Sequence, residues 1–293
     1  LLLQGAFTYN CQATWAKYVC ARNRNETMVE CIEACRNRLL AALPTDVLRR
    51  WLPQLEPVQL RLGDSVYEAG QPQRHVYFPT TALVSLLHVL HNGASAEIAI
   101  VGNDGAVGIS IFLGGGSTST RGVVQGSGHA IRCPSSMLLA EFERDGAVMH
   151  LLLRYTQALI SQMTQTAACN RHHRIEQQLC RWLLLSLDRI ATTDLNMTQE
   201  LISNMLGVRR EGVTQAAAKL QCKGLIQYSR GHITVLHRKE LELHACECYE
   251  VVKKEYDRLL GRVCDQQLEF AGGVCERARV ARTCVRYRTE RDT

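Results

Sequence analysis

Apolar and polar positions change rhythm twice along this chain. In "VQLRLGDSVYEAGQPQRHVYFPTTALVSLLHVLHNGASAEIAIVGNDGAVGISIFLGG" apolar residues come in short β-type runs. The turn signals "GD", "AGQP", "HNG" and "GNDG" divide them at roughly ten-residue spacing, which predicts an antiparallel sheet closing into a barrel or roll. "GVVQGSGHAIRCP" adds further strands before Pro134. Ahead of the roll, "NRLLAALPTDVLRRWLPQL" predicts a short helix with Pro44 in its first turn. From Ser135 the rhythm turns helical. "SSMLLAEFERDG" predicts a serine-capped helix ended at Gly146. The stretch that follows has no Gly or Pro, and Leu152, Tyr155, Leu159 and Met163 step by three and four, with Thr166 next. That is a long helix with one apolar stripe, which either a second copy or the chain's own barrel can cover.

"IEQQLCRWLLLSLDRI" predicts a further amphipathic helix, closed by the polar run "ATTDLN". Then "MTQELISNMLGVRREGVTQAAAKLQCKGLI" reads as a helix interrupted by Gly207. Thr198 is a good N-cap, and Gly207 can take a positive φ, turning the chain sharply into a second helix over 209–221. That second helix buries Val213, Ala216, Ala217 and Leu220 and shows Arg210, Glu211, Thr214, Gln215 and Lys219 on its other face. "LIQYS" and "HITVL", joined by "RG", predict a hairpin, so the unit is a winged helix-turn-helix. "RKELELHACECYEVVKKEYDRLL" predicts one closing helix rich in charged pairs.

Charge sharpens this picture. The formal net charge is +6, but residues 41–145 carry seven arginines against nine acidic residues. Residues 198–239 carry seven Lys or Arg against Glu200 and Glu211. One compact block therefore holds the positive excess, where a polyanion docks. A helix fits the major groove of double-stranded DNA with its N-terminal residues nearest the base edges. Arg209 and Arg210 can donate to guanine, Glu211 can accept from cytosine, and Gln215 can pair with adenine. Thr214 can meet a thymine methyl group or a phosphate. Lys219, Lys223 and the wing residues Arg230 and His232 are candidates for phosphate contacts.

This order of parts resembles the Crp/Fnr family of bacterial transcription regulators over roughly residues 37–260. "LGDSVYEAGQPQRHVYFPTTALVSLL" and "LGVRREGVTQAAAKLQCKGLI" are its most specific pieces. The resemblance implies an α+β fold: an N-terminal antiparallel β-roll (cupin or cyclic-nucleotide-binding-like), a long dimerisation helix and a C-terminal winged helix-turn-helix. It implies a homodimer seamed along Leu152, Tyr155, Leu159 and Met163, a small effector sensed in the roll, and RNA polymerase as a further partner. The family's recognition motif matches Arg210, Glu211 and Gln215; the last is often arginine in the family, so a different half-site is expected. In the phosphate cassette, Ile109 follows Gly108 where cyclic AMP binders carry Glu, and Arg121, after Thr120, is followed by Gly122 rather than Ser. An aliphatic side chain cannot accept from a ribose hydroxyl, which argues against cyclic AMP and leaves the effector open; the alternatives are a roll that binds another protein and no small ligand, or a thiol or metal redox sensor.

Thirteen cysteines are scattered along the chain, an odd count that favours free thiols over a disulfide framework. The spacing of Cys11, Cys20, Cys31 and Cys35, with Cys133 in the roll, does not match the family's iron–sulfur sensors. "CNRHHRIEQQLC" gathers Cys169, His172, His173 and Cys180 without a zinc-finger spacing, and Cys246 and Cys248 are expected on different faces of one helix. The sequence therefore predicts no metal. It predicts no enzyme either. "LGGGSTST" lacks the Lys-Ser/Thr ending of a phosphate-binding loop, no GxSxG or HExxH motif occurs, and His129 reads as a surface histidine. No apolar run reaches the ~20 residues of a membrane span and no export signal is evident, so a cytoplasmic protein is expected. The predicted parts are an unassigned segment 1–37, a sensory roll 38–145, a long helix 146–171, a DNA-binding domain 172–260 and a basic tail 261–293.

Overall fold

The computed structural model describes residues 33–144, 146–190 and 192–261. The expectations for most of the N-terminal segment, including Cys11, Cys20 and Cys31, and for the tail beyond residue 261 lie outside the described residues. The chain is tied down at Asn37, which is fully buried and caps helix α1 (Arg38–Ala41). Its side-chain oxygen accepts from the Leu39 and Leu40 amides, and its Nδ2 donates to the Pro79 and Gly105 carbonyls. Every polar atom of that side chain is thereby satisfied, as its burial requires. Helix α2 (Thr45–Trp51) follows, with Pro44 as its N-cap residue, and seats Trp51 against Phe78.

The roll is two antiparallel sheets. One orders β1 (Glu56–Leu60), β7 (Gly128–Pro134) and β3 (His75–Pro79). The other orders β2 (Ser65–Tyr67), β6 (Thr120–Gly126), β4 (Leu83–Val89) and β5 (Ser95–Val101). Helix α3 (Ser135–Arg144) closes the roll, and its buried Glu141 is paired with Arg50 at 2.9 Å.

Helix α4 (Gly146–His172) runs 27 residues, about 40 Å at 1.5 Å per residue. It starts at Gly146, so that glycine opens the long helix rather than merely closing the short one. Helix α5 (Ile175–Leu187) leads into a small three-stranded sheet, ordered β8 (Asp194–Asn196), β10 (His232–Val235), β9 (Ile226–Ser229). Between β8 and β9 lie α6 (Gln199–Leu206) and α7 (Arg210–Cys222). After β10 come α8 (Arg238–His244) and α9 (Glu247–Leu260), the latter packed back along α4. One apolar core runs from α1 through the roll and α4 into the winged unit.

Three expectations change here. The "ATTDLN" run contains β8, which pairs with β10, so the wing has three strands rather than two. The closing segment is two helices, because Ala245 and Cys246 are extended (ψ 159 and 165) and break it. The apolar stripe of α4 faces inward. Leu152, Tyr155 and Leu159 are all buried within the chain, Met163 is half-buried, and the Tyr155 hydroxyl donates to the Ala106 carbonyl at 2.8 Å. A Cβ on Gly105 would stand 2.5 Å from that hydroxyl oxygen, so the ring lies against bare backbone. The stripe cannot be a dimer seam, because the roll and α9 already cover it. The row left exposed on α4 is Leu153, Gln157, Ile160 and Thr164.

Candidate nucleic-acid interface

Thr198 caps α6 by accepting from the Leu201 amide at 3.2 Å. The helix stops at Gly207, whose φ of 64° and ψ of 32° are left-handed, a conformation that disfavours side chains with a Cβ. Val208 and Arg209 then carry the chain into α7, with Arg209 as its N-cap. Val213, Ala216, Ala217 and Leu220 are buried as the helical period requires. Arg209, Arg210, Glu211, Thr214 and Gln215 are all exposed.

Neighbouring elements gather around this surface. Thr214 Oγ1 donates to Gln199 Oε1 at 2.7 Å, joining α7 to the first turn of α6. The Met197 amide donates to the Gly231 carbonyl at 2.6 Å, which holds the wing tip beside Thr198. Arg230 and His232 are exposed at that tip. Tyr228 on β9 donates its hydroxyl to the Met197 carbonyl at 2.8 Å; burial raises its pKa, and the nearby Arg210 charge works in the opposite direction. Thr198, Arg210, Thr214, Arg230 and His232 thus share one side of the molecule, a face with three formal or titratable cationic groups and hydroxyl donors.

Lys219 does not join them. Nine residues separate it from Arg210, about two and a half turns, which puts it on the opposite flank. There it pairs with Glu176 of α5, and that hydrogen bond is the main reason the Glu176 carboxyl is held below its ordinary pKa.

Two of the four candidate pocket residues already have side-chain partners. Arg121 is paired with Glu68 at 3.2 Å, and Thr120 Oγ1 lies 3.0 Å from the Tyr67 hydroxyl. Tyr67 also covers Gly122, where a Cβ would meet its ring at 2.7 Å. Gly108 and Ile109 sit on the turn after β5, with Ile109 packed on the core.

The cysteines also depart from expectation. Cys246 precedes α9 with an extended backbone, so the 100° rotation per helical residue does not relate it to Cys248. Cys169, His173, Cys246 and Cys248 converge, whereas His172 and Cys180 are not in that group. The sequence signal was the "HACEC" junction, where a helix restart can be mistaken for continuous helix.

Residues 177–243 match the family model of the Crp-like helix-turn-helix domain. Among solved structures, FixK2 from Bradyrhizobium japonicum is 17% identical with a TM-score of 0.54, covering 66% of this chain and 98% of that one. A CRP-family transcriptional regulator from Thermus thermophilus is 18% identical with a TM-score of 0.55, covering 64% and 96%. A CRP/FNR-family regulator of the same organism is 20% identical with a TM-score of 0.53, covering 65% and 98%. At such identities the likeness establishes the fold. No curated protein sequence matches the chain.

Proposed function

We propose that this chain, a Crp/Fnr-like transcription regulator with a helix-turn-helix DNA-binding domain, acts as a homodimer reading a two-fold symmetric operator with paired α7 helices. The observation that carries the reading is the exposed row Arg210, Glu211, Thr214 and Gln215 at the start of a helix re-aimed by Gly207. Arg210 donates to guanine O6 and N7, Glu211 accepts from a cytosine amino group, and Gln215 meets adenine. Arg209, Thr198, Arg230 and His232 flank that row and take phosphates.

The dimer forms along the outer face of α4. Leu153 and Ile160 are exposed there by 42% and 47% and stand seven residues apart, the repeat of a helix–helix seam. A two-fold axis along α4 sets two recognition helices about one DNA turn, roughly 34 Å, apart. The roll, residues 38–145, senses the signal through the region of Gly108, Ile109, Thr120 and Arg121, and an effector there must first displace Glu68 from Arg121. RNA polymerase is the downstream partner, and the cytoplasm is the place of action. Among the described residues no helix is long and apolar enough to cross a membrane.

Selecting genomic fragments bound by the purified full chain tests this directly. The expected result is an inverted repeat with half-sites about ten base pairs apart, centre to centre. Recovery of unrelated fragments in proportion to their abundance contradicts it.

A further inference from the structure

The helix restart at Cys246 brings together side chains from three places. Cys169 lies in the last turn of α4, His173 immediately follows that helix, Cys246 immediately precedes α9 and Cys248 sits in the first turn of α9. One ligand atom from each lies within 4.8 Å of all the others. Cys169 Sγ is 3.5 Å from Cys246 Sγ, and Cys248 Sγ is 3.6 Å from His173 Nδ1. The three thiols are buried and form a small cluster apart from the main core. We propose that these four residues bind one zinc ion as a closed, four-coordinate Cys3His site that fastens the end of α4 to the start of α9.

The separations fit that ion. Tetrahedral bonds of about 2.3 Å to sulfur and about 2.0–2.1 Å to nitrogen set sulfur–sulfur edges of roughly 3.8 Å and sulfur–nitrogen edges of roughly 3.5 Å. The two contacts given above lie within a few tenths of an ångström of those values.

The surroundings fit as well. His173 turns Nδ1 to the sulfurs and Nε2 to the Glu247 carboxylate, 3.3 Å away. A carboxylate on the far nitrogen is the arrangement that fixes the tautomer and orientation of a metal-bound imidazole. Gln178 Nε2 donates to the carbonyls of both His173 (2.9 Å) and Cys169 (3.4 Å), pinning the backbone of two ligands.

Charge gives an independent argument. As the ion enters, the three thiols release their protons to solvent, and Zn²⁺ with three thiolates and a neutral imidazole carries a net charge of −1. Arg181 is buried, forms no ion pair among the described residues, and hydrogen-bonds through both terminal nitrogens to the Thr166 hydroxyl. The guanidinium is close enough to act electrostatically on both Cys169 and Cys248. The buried guanidinium hydrogen-bonds to a hydroxyl, and the Glu97 carboxyl in its field is itself pushed by burial toward the neutral form, so an anionic metal–thiolate centre supplies counter-charge. A Cys169–Cys246 disulfide would instead leave Cys248, His173, Glu247 and Arg181 without a shared role.

The position gives the site a consequence. The winged unit leaves the long helix at His173 and Arg174, and α9 returns from that unit to lie along α4. An ion at this corner spans the hinge between the DNA-reading half and the rest of the molecule. Metal binding there does not depend on how the operator is read.

Full-length protein purified reduced, without chelator, is expected to hold about one zinc per chain by elemental mass spectrometry. Cys169→Ser and Cys248→Ser are expected to lose it, whereas Cys222→Ser, at an exposed position on α7, keeps it. Cobalt substituted into the wild-type chain should give the visible bands of a tetrahedral thiolate site. Should the cysteine variants misfold, Glu247→Ala serves instead, because that carboxylate is exposed. It is expected to weaken zinc 10–100-fold in competition with a chromophoric chelator. Zinc absent from the wild-type chain, zinc retained undiminished by Cys248→Ser and Glu247→Ala, or a Cys169–Cys246 disulfide in zinc-replete protein would each overturn the assignment.

Discussion

Arg189 and Asp104 meet at 2.9 Å with both side chains buried, one just past α5 and the other in the turn after β5. The same guanidinium donates to Gln162 of α4 and to the Leu185 carbonyl, and it lies 5.2 Å from the centre of the Tyr256 ring of α9. One cation therefore fastens the roll, the long helix and the DNA-binding half together. Removing its counter-charge leaves a buried, unpaired arginine. Asp104→Ala is expected to cost about 3–5 kcal/mol in urea unfolding. The double variant Asp104→Leu with Arg189→Met should recover much of that loss. A single variant within about 1 kcal/mol of wild type, on the order of a surface pair, contradicts this role.

Glu97 makes stability depend on pH. Its carboxyl accepts from Ser85 Oγ at 2.5 Å and from Trp182 Nε1 at 3.1 Å, joining β5 to α5. Burial pushes its pKa up from 4.5 to about 7, against the pull of Ser85 and of Arg181. Between those values the folded chain holds more protons than the unfolded chain, so this contribution is full below pH 4.5 and lost as pH rises through 7. The change is about 3 kcal/mol. Glu97→Gln removes the charge; its carbonyl oxygen can still accept from Trp182 Nε1, while its amide nitrogen donates to Ser85 Oγ instead of accepting from it. It is expected to raise Tm at pH 8 and to change it little at pH 4.5, and equal shifts at both pH values would contradict the assignment.

The two faces of α4 predict opposite phenotypes. Ile160→Glu, on the outer face, is expected to convert a dimer to a folded monomer in analytical ultracentrifugation. Leu159→Ala, on the inner face, should cost about 2–5 kcal/mol of stability and leave the residual folded protein dimeric. A dimer that survives both Leu153→Glu and Ile160→Glu places the seam elsewhere.

What the sequence made legible follows from what local chemistry determines. Gly207 between two amphipathic runs could be read as a left-handed break, and Thr198 as a cap, because both are set by their own backbone. The α4 stripe could be seen but was assigned to a dimer seam on the family resemblance, since Leu152, Tyr155 and Leu159 look alike whether they face a second copy or the roll. The "CEC" pair was misread for a different reason. Periodicity assumes that the helix is continuous, and the extended Ala245–Cys246 step removes that assumption. Asp194–Asn196 escaped notice because a three-residue strand carries no alternation, and its existence depends on the edge of β10.

Lys219 separates a phosphate contact from a scaffold contact. Held against Glu176 on the flank of α7, Lys219→Ala is expected to leave the slope of log K against log salt unchanged within about half a unit. A phosphate-binding lysine would reduce it by about one unit.

Operator reading requires Arg210 to touch a base edge. Affinity should be measured for the wild-type chain and Arg210→Ala against the selected operator and every single-base substitution of its half-site. The expected result is a loss of about 1–3 kcal/mol on the operator, with preference relaxed at one base pair per half-site. An equal loss on all sequences, or no loss, would contradict it.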